Sequence, residues 1–178
     1  MQRFVESTDN LLLFDNDAAR NSGETLSEGY GEINDEIATR FGTLFSAGEI
    51  DALGGDVAES VVDASEIIQT LGGRGITSIG YACEVVDPPD SGGGGLLDRF
   101  LGSNDEPAFT SEGDATNRIT SLARRATLGT LTLPCERDST SRALLIVSGP
   151  PSELSRKGVD AARVWLEEVT GCRTVRAG

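Results

Sequence analysis

The chain has no histidine at all and a single lysine, Lys157, among its 178 residues. Without histidine there is no Ser/His/Asp triad and no Cys/His pair, so hydrolysis of those two kinds is excluded. The three cysteines, Cys83, Cys135 and Cys172, are far apart and form no CxxC. A zinc site and a disulfide framework are therefore not indicated, and reduced, mostly buried thiols are expected. No stretch matches GxxxxGK[ST] or GxGxxG. The four consecutive glycines at 92–95 join no strand to a helix, so they do not read as a phosphate cradle. Long apolar runs are also missing. The longest near the start, LLLF at 11–14, is far below the ~20 residues a membrane helix needs. No leader pattern is visible, and a cytoplasmic location is expected.

What is abundant is acid. There are 29 acidic residues against 15 basic ones, a net charge of −14. All the basic residues except Lys157 are arginine. A surface of one sign repels itself in dilute buffer. Molar salt shortens the screening length to ~3 Å and removes that penalty. Dense carboxylates, scarce lysine and 5% aromatics point to a salt-rich cytoplasm. No basic patch is evident, so nucleic acid is not an expected partner. With 38% hydrophobic residues the chain can bury a sizeable core, as one ordinary domain or two small halves.

The pattern along the chain alternates. NLLLFDND (10–17) is an apolar run ending in polar turn residues, a buried strand with an exit loop. A helix from Thr25 to Ala47 follows, opened by a Thr25/Glu28 capping box. Leu26, Tyr30, Ile33, Ile37, Phe41 and Leu44 recur at three- and four-residue spacing, one apolar face of a helix roughly 35 Å long. Residues 47–56 form a loop, 63–73 a shorter helix stopped by glycine, and 75–86 a strand. Residues 87–113, with Pro-Pro and the tetraglycine, make a long mobile surface loop. A helix over 114–129 takes Asp114 as cap and Gly129 as stop. Then come a strand (142–150), an amphipathic helix (152–171) stopped by Gly171, and a last strand (172–178). Such alternation argues for helices packed on a sheet, an α/β fold.

Three patches carry candidate chemistry. Phe14 to Asp17, FDND, sits at a strand exit. An amide there can bond a ribose or base, although Asn and Asp also favour plain turns, which spacing alone prefers. Tyr30 and Asn34 lie four residues apart on one helix face. Tyrosine can stack on a base and asparagine offers a donor and an acceptor to its edge. Equally, Tyr30 can simply join the apolar stripe. Asp63 and Glu66 stand at a helix start. Two carboxylates there can polarise a water for attack on phosphate, yet D-x-x-E is also a capping pattern. The two roles are compatible, since a capping carboxylate keeps one oxygen for a ligand.

Taken together, the order strand, FDND, loop, GYGEIN helix, loop, VVDASEII helix resembles the tubulin/FtsZ superfamily. DND (15–17) looks like that family's Asn-containing turn, and YGEIN (30–34) like the tubulin form of its core-helix motif. TNRITSLARRATLGTLTLPCE (116–136) and GPPSELSRKGVDAARVWLEEVTG (149–171) resemble the haloarchaeal CetZ family, in keeping with the acidic, lysine-poor composition. The likeness covers almost the whole chain outside the 87–113 loop. One departure is Val61, where bacterial FtsZ proteins usually place asparagine.

The resemblance implies a fold and a set of roles. The fold would be the last strand of a Rossmann-like GTPase domain, a long central helix, then a C-terminal α/β domain with a small mixed sheet packed by helices. Residues 1–47 would hold the first two parts and 48–178 the last. Asn16 would contact the nucleoside, Tyr30 stack on guanine and Asn34 bond its edge. Residues 48–66 would form a loop that enters the nucleotide pocket of the next subunit, with Asp63 and Glu66 positioning the attacking water. GTP or GDP is the implied ligand, with Mg2+ in the intact parent. The implied partner is another copy, joined head to tail in filaments serving cell shape or division. The family's glycine-rich phosphate loops precede the strand near Asn10, so this chain is expected to be a C-terminal portion. A non-enzymatic filament-capping module and an inactive truncated product are the alternative expectations.

Overall fold

A computed structural model describes residues 2–17, 26–47, 62–86 and 112–178. Thr25 of the expected capping box, the 48–61 loop with Val61, and the tetraglycine lie outside the described residues. The elements run α1 (Gln2–Ser7), β1 (Leu11–Leu12), α2 (Leu26–Ser46), α3 (Ala64–Leu71), β2 (Ile76–Thr77), α4 (Glu112–Leu128), β3 (Ala143–Leu145), α5 (Arg156–Thr170) and β4 (Val175–Ala177). The result is an α/β fold with helices packed against small sheets. Both strand pairs are parallel, β1 on β2 and β3 on β4, and an antiparallel bridge joins Gly80 to Leu131.

The strands are shorter than the apolar runs suggest, because side chains and partner switches replace the ladder. Leu11 N–H donates to Gly75 at 3.0 Å, but by Asp15 the chain has moved across to the Thr132 carbonyl at 2.6 Å. The buried Thr132 does the work of a strand residue. Its N–H donates to the Ile79 carbonyl and its hydroxyl accepts from the Ile79 N–H, both at 2.9 Å. Asn10 likewise spans the β1–β2 pair, donating to the Gly73 carbonyl and accepting from the Thr77 hydroxyl.

The main core lies between α4 and α5. Ile119 and Ala123 of α4 meet Val159 and Ala162 of α5, with Leu145, Val147 and Ala177 of the β3–β4 region against them. Gly158 permits the close approach, since a Cβ there would stand 2.9 Å from Ile119 Cδ1 and 3.0 Å from Thr116 Cα. Arg118 pairs with Glu153 and, at 3.6 Å, with Glu84. Such partly exposed pairs are worth about 0–1 kcal/mol, against about 1.5–3 kcal/mol for burying a side chain the size of Ile119. Apolar burial therefore holds this region, and the ion pairs tune it.

Two helix limits differ from the sequence expectation. α4 begins at Glu112, so Asp114 lies in its first turn rather than capping it. A carboxylate there still favours the positive end of the helix dipole. The expected 152–171 helix is split. Pro151–Glu153 form a 3-10 turn, and α5 starts afresh behind the Ser155 cap, whose hydroxyl accepts from Gly158 N–H at 3.2 Å. Its end falls where expected, at Gly171 with φ +66°. Gly171→Ala forces a side chain into the left-handed region and is expected to cost about 1 kcal/mol; thermal unfolding of the variant measures it.

The expectation of mostly buried thiols is corrected: Cys172 is buried, but Cys83 and Cys135 are exposed. Cys83 lies on the irregular stretch after Gly80, and Cys135 follows the exposed Pro134 outside any helix or strand.

Candidate functional site

The long helix α2 is fixed by an arginine within its apolar face. Ile33 is buried, while Ile37, Phe41 and Leu44 are half-buried. The buried line continues to Arg40, whose Nη1 donates to the carbonyls of Ile79 (3.0 Å) and Thr130 (3.1 Å). Its Nη2 pairs with Glu36, and the guanidinium lies 6.0 Å from the Phe14 ring centroid. This side chain ties α2 to the β2 exit, to the end of α4 and to the strand exit at 14. Sequence reasoning missed it, because an arginine at helical spacing reads as a solvated residue.

Tyr30 does not belong to the buried stripe. The buried positions run through Gly29, Ile33 and Arg40, and Tyr30 falls to the side of that line with 51% of its surface exposed. Asn34, one turn further, is also exposed. An aromatic face and an amide thus stand one turn apart, both exposed among the described residues, an arrangement able to hold a flat polar ring. Asn16 is exposed in a turn, where Asp15 Oδ1 accepts from the Asp17 N–H at 3.0 Å. The turn chemistry is real, and it leaves the Asn16 side chain on the surface.

Asp63 and Glu66 have separate environments. Asp63 caps α3, and its Oδ1 accepts from the Glu66 N–H at 2.9 Å and the Ser65 hydroxyl at 2.6 Å. Both of these bonds fall on Oδ1, and the Ser65 backbone N–H also acts on the carboxylate. Val62 and Ile67 flank the cap and are buried, the positions a hydrophobic staple uses. Glu66 is half-buried, and Arg176 Nη1 donates to its Oε1 at 3.3 Å. The pair is therefore one exposed acid on a cap and one acid held by a cation from β4.

The Ser65 hydroxyl and then the Glu66 amide pull the Asp63 pKa below 3.8, with a smaller contribution from the Arg176 charge. A depressed folded-state pKa contributes stability that is complete above the unfolded value. That contribution disappears as pH falls through the folded value. Wild type is accordingly expected to lose more stability than Asp63→Asn on acidification below about pH 4. Chemical denaturation between pH 5 and pH 2 measures the difference, and parallel curves would contradict the assignment.

The structure brings Tyr30 to Asn34 on α2, and Asp63 to Glu66 on α3. A shallow groove at the end of α4, lined by Thr130, Leu131, Cys135 and Arg137 among others, contains none of these residues. Among the described residues no group of three histidine, cysteine, aspartate or glutamate side chains gathers to hold a metal. No described helix is long and apolar enough to cross a membrane.

Residues 23–178 match the family model for the C-terminal domain of tubulin-like CetZ. The chain is 54% identical over 177 residues to the tubulin-like protein CetZ1 of Haloferax volcanii, covering 99% of this chain and 45% of that protein. The solved GDP-bound monomer of CetZ1 superposes with a TM-score of 0.74 at 45% identity, over 99% of this chain and 42% of that one. CetZ2 from the same organism, solved as a GTPγS-bound protofilament, also gives 0.74, at 36% identity and with 99% and 43% covered. The chain thus spans less than half the length of the relatives it matches.

Proposed function

Since this chain belongs to the tubulin-like CetZ family through that family's C-terminal domain, we propose that it serves a GTP-dependent cytoplasmic polymer as its C-terminal portion. In this reading Tyr30 stacks on guanine, Asn34 bonds the base edge and Asn16 meets the nucleoside. Asp63 and Glu66 act in trans, on the nucleotide of the neighbouring subunit in a head-to-tail filament. The relatives solved with GDP and as a GTPγS protofilament support the nucleotide and the assembly. Cell shape or division is the process such a polymer would serve.

The observation that carries the trans role is the single-sided cap. Asp63 makes its short bonds to the Ser65 hydroxyl and the Glu66 N–H through one oxygen, Oδ1. The second oxygen, on an exposed residue, is then available to orient a water toward a phosphate. An aspartate carboxylate is ionised at neutral pH, as that role requires. Mg2+ fits this reading as an ion carried by the nucleotide phosphates, whose charge it neutralises.

The test mixes this chain with full-length Haloferax volcanii CetZ1 in molar KCl with magnesium and GTP, below the CetZ1 assembly threshold. Phosphate release is expected to rise with added chain and to saturate, while the chain alone releases none. An unchanged rate at excess chain, or turnover by the chain alone, would overturn the reading.

A further inference from the structure

We propose that Arg176 is the positioning residue for Glu66, a fork from the last strand that fixes how the acids at the start of α3 are presented to a neighbouring subunit. This rests on the role given to Glu66 in the preceding subsection.

The geometry is that of a clamp across one helical turn. Glu66 and Gln69 are three residues apart and share a face of α3. Arg176 spans them, with Nη1 3.3 Å from Glu66 Oε1 and Nη2 2.6 Å from Gln69 Oε1. A planar guanidinium can hold two acceptors in a fixed relative position; a lysine ammonium offers one flexible point charge. In the capping-box pattern the glutamate turns back toward the cap residue's N–H. Here Arg176 draws the Glu66 carboxylate toward β4 instead.

Arg176 can do this because its own strand is fixed. It sits opposite Leu144 in the β3–β4 pair. Gly178 N–H donates to the Leu145 carbonyl at 3.1 Å, and Val147 N–H to the Gly178 carbonyl at 2.8 Å. A second arginine from the same region holds the far end of the helix, where Arg142 Nη1 donates to the Gln69 carbonyl at 3.0 Å. Gly73 leaves room for it, since a Cβ there would lie 2.9 Å from Arg142 Cζ. The backbone of α3 is thus tied to the β3–β4 region by Arg142, and Arg176 adds the contact that reaches an acid.

The test uses the mixed turnover assay with the 178-residue chain and CetZ1. Arg176→Gln is expected to lower maximal stimulated turnover about tenfold or more, because a misplaced reacting group costs that much. The concentration of chain giving half-maximal stimulation should stay within about twofold, since docking is retained; a general folding defect would move both. Arg176→Lys should recover part of the rate. The double variant Arg176→Gln/Glu66→Gln should be no slower than Glu66→Gln alone, as expected for residues acting through one another. Full activity of Arg176→Gln beside an inactive Glu66→Gln would overturn the positioning role alone. Additive losses in the double variant would also overturn it. Full activity of Glu66→Gln and of Asp63→Asn together would instead overturn the reading on which it rests.

Discussion

Replacing Asp63 by asparagine is expected to cut the stimulation of CetZ1 turnover by about a hundredfold or more, the usual scale for a lost acid–base group. The choice of asparagine separates two roles. Asparagine caps helices about as well as aspartate, so the bonds to Glu66 N–H and the Ser65 hydroxyl can persist. What is lost is the charge on the second oxygen. A purely structural Asp63 would lose little in this exchange, and α3 would keep its stability and its activity together. A catalytic Asp63 loses activity with the helix intact. Circular dichroism of the variant at neutral pH, beside phosphate release in the mixture, reads both quantities. Equal rates for variant and wild type would remove Asp63 from the chemistry.

The second large effect is on folding. Gly80 bridges to Leu131 and lies against Ala126 of α4. A Cβ on Gly80 would overlap the Ala126 carbonyl oxygen, lie 2.8 Å from the Ala126 carbonyl carbon and stand 3.0 Å from Leu131 Cδ2. Two of those atoms are helix backbone and cannot swing aside as a long side chain can. Gly80→Ala is therefore expected to cost about 3 kcal/mol, the upper end for overpacking. The cost should appear as a lower denaturant midpoint with an unchanged slope. The same displacement would strain the neighbouring Ile79 carbonyl, which receives both Arg40 and Thr132. A variant as stable as wild type would mean that the segment does not lie this close to α4.

Much of the helical framework was legible because its signals are local. Gly171 and the amphipathic pattern over 152–171 marked α5 within a few residues, although its start behind Ser155 was not read. Asp63 as the α3 cap was likewise written in D-x-x-E. The strands were not, because their length is decided by partners far away. Nothing near residue 79 announces that the Thr132 hydroxyl will take its N–H. Tyr30 was open to two readings for a geometric reason. Three- and four-residue spacing admits a band wider than the face actually buried, and Tyr30 falls at its edge. Arg40 and Arg176 were missed for a shared reason. Each acts through acceptors remote in sequence, Arg40 on Ile79 and Thr130, Arg176 on Glu66, 110 residues away. The sequence signal that could have raised them is their company: an arginine within an apolar helix stripe, and another within a short terminal strand.

The central proposal is that this chain carries the acid side of a shared nucleotide site, with base contacts on α2. The most direct measurement is a calorimetric GTP titration of the 178-residue chain alone, in molar KCl with magnesium. The expected result is no tight binding, because in the proposed reading Tyr30, Asn34 and Asn16 address only the nucleoside. Tight, saturable binding would contradict the account, since it would require a phosphate cradle that none of the motifs in this chain supplies.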